Sequence, residues 1–122
     1  MIQLAIAGVM GRTGRRVLEL AMGDPRFHVA AAITSTECTD CGATVRAYGK
    51  EVRVVDQLVT PCRVLVDFTT TDGTQMWLAN CIERKVGMEI GTTGHSESTL
   101  QKIRDASRQI PIVFSANFSV GV

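Results

Sequence analysis

An excess of charge of either sign is missing from this sequence. Thirteen Lys and Arg against 12 Asp and Glu leave a formal charge of +1, so there is no overall field of the kind that draws a protein to nucleic acid or anionic lipid. No stretch is apolar for long enough to span a bilayer, and the first residues run directly into a strand pattern instead of a basic segment, apolar core and cleavage site. No nucleic-acid or membrane partner is expected, and the expected location is cytoplasmic. Internal repeats and low-complexity segments are missing too. A second close cysteine pair is also lacking. "CTDC" (Cys38 and Cys41) has the spacing of half a zinc site, but Cys62 and Cys81 stand alone and the two histidines, His28 and His95, are distant in sequence, so no metal is expected. In a reducing compartment the four cysteines remain thiols. A redox dithiol needs its pair at a helix start beside a strand, and this pair reads as lying in a loop. No Ser, His and Asp set is suggested.

What is present fits one compact domain of 122 residues, 45% hydrophobic, long enough to bury a core. Apolar runs of strand length are expected near Ile2 to Ala7, Val29 to Ile33, Arg63 to Phe68, Gly87 to Ile90 and Ile112 to Ser115, with a shorter one at Val52 to Val55. Between them lie helical periods. The first helix should begin near Gly11 and present Gly14, Val17, Leu18, Ala21 and Met22 on one face, with Gly23 as a left-handed cap and Pro25 as its stop. A second should start at Thr71 or Asp72 and carry Leu78, Cys81 and Ile82 inward. A third should follow "GHSE", capped by Ser96, with Glu97 in its first turn and Leu100 and Ile103 on the buried face. Thr34 to Lys50 reads as a loop. The alternation predicts an α/β fold, a Rossmann-like, doubly wound and mainly parallel sheet with helices on both faces.

"IAGVMGRTGRR", residues 6 to 16, places Gly8, Gly11 and Gly14 between the first strand and the first helix. Glycine there allows a sharp turn, close approach of a ligand to the backbone, and close contact between helix and strand. Unpaired amides at the helix start, with the helix dipole, then form an anion site whose usual occupant is a dinucleotide pyrophosphate. A tight connection with no ligand is the alternative. The spacing G-x-x-G-x-x-G differs from the commonest dinucleotide fingerprint, and by itself it names no reaction.

Taken together, "GRTGRR", "VDFTTTDGT" at 66 to 74, "IGTTGH" at 90 to 95 and "SANFSVGV" at 115 to 122 resemble the 4-hydroxy-tetrahydrodipicolinate reductase (dihydrodipicolinate reductase) family, over essentially the whole chain. The resemblance implies an NAD(P)H-dependent oxidoreductase of lysine biosynthesis through diaminopimelate. It implies pyrophosphate binding by Gly8, Val9, Met10, Gly11, Arg12 and Thr13, and a nicotinamide-side wall made by Gly91, Thr92 and Thr93. The family's nicotinamide and ribose turn falls on Ser115, Ala116, Asn117 and Phe118. Phe68 and Thr69, at the end of the third main strand, are secondary contacts. Asp67 reads equally as a cap for the following loop or as a functional group.

Cofactor choice turns on Thr34. After the second strand an acid commonly accepts from the adenosine ribose hydroxyls; here Thr34, Ser35 and Thr36 follow and the nearest acid in sequence is Glu37. With Arg12 as a cationic partner for a 2'-phosphate, NADPH is as plausible as NADH. Arg15 and Arg16 read better as solvated helix residues. The family's second domain, with a double-histidine segment, a lysine and a "DAPSGT"-like stretch that hold the small-molecule substrate, finds no counterpart in these residues. Residues 1–122 are therefore expected to be the dinucleotide-binding domain, with no catalytic residue and no turnover of their own. Complete proteins of the family are expected to be homo-oligomers. The competing class is a noncatalytic dinucleotide-binding or sensing module.

Overall fold

A strand paired on both edges presents side chains to two faces and needs cover on each. The computed structural model describes residues 1–34 and 41–114. Among the described residues seven strands form one sheet: β1 (Ile2–Ala7), β2 (Phe27–Ile33), β3 (Thr44–Ala47), β4 (Lys50–Val55), β5 (Val64–Asp67), β6 (Gly87–Ile90) and β7 (Ile112–Phe114). Their order is β3-β4-β2-β1-β5-β6-β7, with every neighbouring pair parallel except β3 and β4. The helices are α1 (Arg12–Met22), α2 (Thr71–Arg84) and α3 (Glu97–Ala106).

Alternation along β1 divides the core. Leu4 and Ile6 pack with Leu18, Ala21 and Met22 of α1, while Ala5 and Ala7 belong to the opposite cluster with Trp77, Leu78 and Cys81 of α2 and Ile103 of α3. The doubly wound, mainly parallel architecture expected from the sequence is therefore present. Burying Leu18 fully contributes roughly 2 kcal/mol of transfer free energy to the joint between α1 and the sheet.

Two local expectations need correction. The stretch read as a loop up to Lys50 contains β3, joined to β4 by a two-residue turn at Tyr48 and Gly49, with φ of 54° and 73°. Positive φ at both central residues matches the right-handed twist of an antiparallel pair. Gly23 is not a left-handed cap, since its φ is −87°. It is small because the Tyr48 ring lies against it: a Cβ there would sit 2.7 Å from the ring. The left-handed cap occurs at Lys85 instead, at the end of α2. Ile82 and Leu100 face inward as expected, half-buried against the same cluster, and Trp77, which the helical period did not single out, is buried with them.

Candidate functional site

Strand order reverses at β1, with β2 on one side and β5 on the other. The turns that leave β1 and β5 run to opposite faces, and a crevice opens between them at the carboxyl end of the sheet. Two cavities share this crevice. One, about 630 Å³, lies between the start of α1, the β5–α2 turn and the β6–α3 turn. The other, about 690 Å³, extends toward the end of β2. Gly11, Phe68, Thr69 and Thr70 line both.

The glycine turn is wedged on all sides. Gly8 has φ of +87°, and a Cβ on it would lie 2.3 Å from the Phe68 carbonyl oxygen. A Cβ on Gly14 would lie 2.0 Å from the Gly8 carbonyl oxygen. Gly11 differs: its φ is −77°, and the one neighbour of its Cβ position is at an ordinary 3.5 Å. The first and third glycines are thus demanded by the protein's own packing. The second is not.

The amides divide in the same way. Gly8 and Val9 N–H groups both donate to the Ile33 carbonyl, at 2.9 and 3.2 Å, and Gly11 N–H donates to the Gly8 carbonyl at 3.2 Å. These three amides are thus taken up within the turn. The Val9 side chain is fully buried in the α1-side core and does not line the crevice. By contrast, the N–H groups of Arg12, Thr13 and Gly14 have no partner among the described residues, and Gly11 offers α1 no side-chain cap. The other two helices are capped: Thr70 accepts from Gly73 N–H at 3.1 Å, and Ser96 from Thr99 N–H at 3.3 Å. An uncapped helix start facing a crevice has the donors an anion would need, and the helix dipole acts in the same direction.

The opposite wall is built on Asp67 and Phe68. Asp67 is fully buried at the end of β5. It accepts from Thr69 N–H at 2.9 Å, Thr69 Oγ1 at 2.5 Å, Thr74 Oγ1, and Thr92 Oγ1 at 3.3 Å. The Phe68 ring covers Gly91, where a Cβ would lie 2.3 Å from the ring. Thr93 lies exposed at the mouth of the same wall. His95, just beyond it, stands 5.8 Å from the Phe114 ring, and neither of its buried ring nitrogens has a partner among the described residues.

At the far end, Thr34 N–H donates to the Val55 carbonyl at 2.8 Å. This parallel pairing brings Asp56 beside Thr34, and both line the larger cavity with Asp72 and Met76. The expectation that no fixed carboxylate stands near Thr34 is thereby corrected: the nearest acid in sequence was Glu37, but the neighbouring strand supplies one through space.

Of the residues expected at the site, Gly8, Met10, Gly11, Arg12, Thr13, Thr34, Phe68, Thr69, Gly91, Thr92 and Thr93 line the crevice. Ser115, Ala116, Asn117 and Phe118 lie outside the described residues, as do Glu37 and Cys38. Sequence reasoning missed Asp56 and Asp72. Asp56 directly follows a strand already recognised at Val52 to Val55, and a parallel partner for the second strand would have pointed to it. Among the described residues no three His, Cys, Asp or Glu side chains gather as metal ligands, and no helix is long and apolar enough to cross a membrane.

Solved structures share this fold. Dihydrodipicolinate reductase from Paenisporosarcina sp. TG-14, solved with dipicolinate bound, superposes with a TM-score of 0.69 at 24% identity, over 88% of this chain and 43% of that one. Aspartate semialdehyde dehydrogenase II from Vibrio cholerae, complexed with ASA, gives 0.68 at 19%, over 93% and 38%. Aspartate semialdehyde dehydrogenase with NADP from Candida albicans gives 0.62 at 14%, over 76% and 30%. The chain thus spans less than half the length of each, and at these identities the likeness is one of fold. The family model described as "Dihydrodipicolinate reductase, N-terminus" matches residues 2–118. With so nearly complete a match, the chain belongs to the dihydrodipicolinate reductase N-terminal domain family.

Proposed function

We propose that this chain is the NAD(P)H-binding domain of a 4-hydroxy-tetrahydrodipicolinate reductase, serving the reduction step in lysine and diaminopimelate synthesis in the cytoplasm. The observation that carries the reading is the uncapped start of α1 at the crevice, where Arg12, Thr13 and Gly14 leave their amides open while the glycine turn is packed too tightly for side chains. The residues fit a dinucleotide. The open amides receive the pyrophosphate, and the guanidinium of exposed Arg12 adds charge. The cavity beside Thr34 and Met76 takes the adenosine half, and Phe68, Gly91 and Thr92 support the nicotinamide half.

Bound NADPH or NADH supplies a hydride. This chain's part is to hold and orient the donor; Ser115 to Phe118 complete the nicotinamide contact in the family pattern. The groups that hold and protonate the small-molecule substrate belong to the family's second domain, so no catalytic residue is assigned here. In the NADP-complexed dehydrogenase of Candida albicans a nucleotide cofactor accompanies the same fold, which supports the reading.

The test is a pair of measurements on one preparation: calorimetric titration with NADH and with NADPH, and a reductase assay. Binding without turnover is expected. Turnover by the chain alone, or a folded chain that binds neither nucleotide, would overturn the reading.

A further inference from the structure

We propose that Asp67 is a positioning residue. Its carboxylate locks the β5–α2 turn and the β6–α3 turn into one rigid wall and thereby sets where the nicotinamide half of the cofactor can lie. The inference rests on the cofactor reading above.

A cap for the loop after β5 would need only the Thr69 N–H bond, the ordinary Asx-turn contact two residues on. Asp67 does more. Its Oδ2 accepts from Thr74 Oγ1 in α2 and from Thr92 Oγ1 across 25 residues of sequence, while Oδ1 takes both donors of Thr69. A carboxylate has about four acceptor sites and no donor, so these donors fill it and each hydroxyl is oriented toward it. No cation shares the task, since the ion pairs among the described residues involve other acids.

Two neighbouring features are shaped around this arrangement. Gly73 has no side chain, and a Cβ there would lie 2.3 Å from Thr69 Oγ1, so the helix leaves space for the hydroxyl that reaches Asp67. The Asp67 carbonyl accepts from Gly91 N–H at 2.9 Å, placing Gly91 directly beneath the Phe68 ring. Both ends of Asp67 thus act on the β6–α3 turn, the side chain through Thr92 and the backbone through Gly91. Buried polar networks of this kind are stiff when every member is satisfied, because the alternative is an unpaired charge or hydroxyl in a low-dielectric interior. Since the Thr92 hydroxyl proton is committed inward, Thr92 cannot donate it to a ligand in the crevice.

Thr74 provides the clean test, because it is fully buried and does not line either cavity. Wild type, Thr74→Val, Thr74→Ser and Asp67→Asn are titrated with NADH and with ADP, which lacks the nicotinamide half. Affinities come from calorimetry and circular dichroism verifies the fold. Wild type should bind NADH more tightly than ADP. Thr74→Val and Asp67→Asn should weaken NADH by about fivefold, the equivalent of one hydrogen bond, while ADP changes by less than about twofold, and Thr74→Ser should restore the wild-type ratio. If Asp67→Asn fails to fold, the Thr74 pair decides alone. Equal losses for the two ligands in folded Thr74→Val, or no loss, would overturn the positioning role while leaving the cofactor reading intact. Wild type binding NADH no better than ADP would overturn the cofactor reading and the inference with it.

Discussion

The backbone of Gly14 rests directly on the carbonyl oxygen of Gly8, so closely that a Cβ on Gly14 would lie 2.0 Å from that oxygen. The first turn of α1 and the turn after β1 are therefore one packed unit. Gly14→Ala must push the helix away from the sheet, at a cost of roughly 3 kcal/mol or more. Urea denaturation should show this loss with or without nucleotide present.

Gly11→Val separates the second glycine from the other two. Its φ is ordinary and its Cβ position open, so the expected loss of stability is about 1 kcal/mol, from a poorer helix cap. Dinucleotide affinity should fall far more, by about tenfold or beyond, because the branched side chain occupies the approach to the open amides. Unchanged affinity in a folded variant would make the glycine turn purely structural.

Gly91→Ala should act through Phe68. The new methyl would meet the ring at 2.3 Å, and the ring must swing into the crevice it borders. Nucleotide affinity should drop several-fold while the melting temperature falls by only a few degrees; a variant with wild-type affinity would show that the ring lies clear of the ligand.

Cofactor preference should respond to Asp56. Its carboxylate shares a cavity with Thr34 and would repel a 2'-phosphate, so Asp56→Asn should improve NADPH relative to NADH by roughly 1 kcal/mol at low ionic strength. An unchanged ratio of the two affinities would remove Asp56 from the specificity argument.

Burial, with Cys62 and Asp67 nearby, pushes the Cys81 thiol up to about 12, against about 8.5 for an exposed thiol. Above the unfolded value the unfolded chain releases this proton while the folded chain keeps it, so stability contributed by the neutral thiol is full below about pH 8.5 and declines as pH rises toward 12. The stability difference between wild type and Cys81→Ala should therefore shrink between about pH 8 and pH 10. A difference that stays constant over that range would contradict the shift.

Much of the fold was legible because β1, β5 and β6 are short apolar runs buried on both faces, and because Ser96 and Gly11 mark helix starts in the sequence itself. The end of β4 was legible at Val52 to Val55, but β3 and its pairing with β4 were not, since Thr44 to Ala47 has one buried residue and carries a weak apolar pattern. At the site, sequence order could place Gly11, Thr34 and Thr92 at strand ends. It could not place Asp56 beside Thr34, which depends on β4 pairing with β2 in parallel, nor show that Val9 turns its side chain into the core. Nor could it resolve the two readings of Asp67, whose partners Thr74 and Thr92 come from other elements.

The central claim is that the open amides at the start of α1 receive the cofactor's pyrophosphate. An amide-resolved nuclear magnetic resonance titration of the 122-residue chain with NADH tests it most directly. The largest shifts are predicted at Arg12, Thr13 and Gly14, with a second group at Gly91, Thr92 and Thr93, and the first group alone should respond fully to ADP. Saturating NADH that leaves Arg12, Thr13 and Gly14 unmoved, or moves residues away from the crevice instead, would contradict the account.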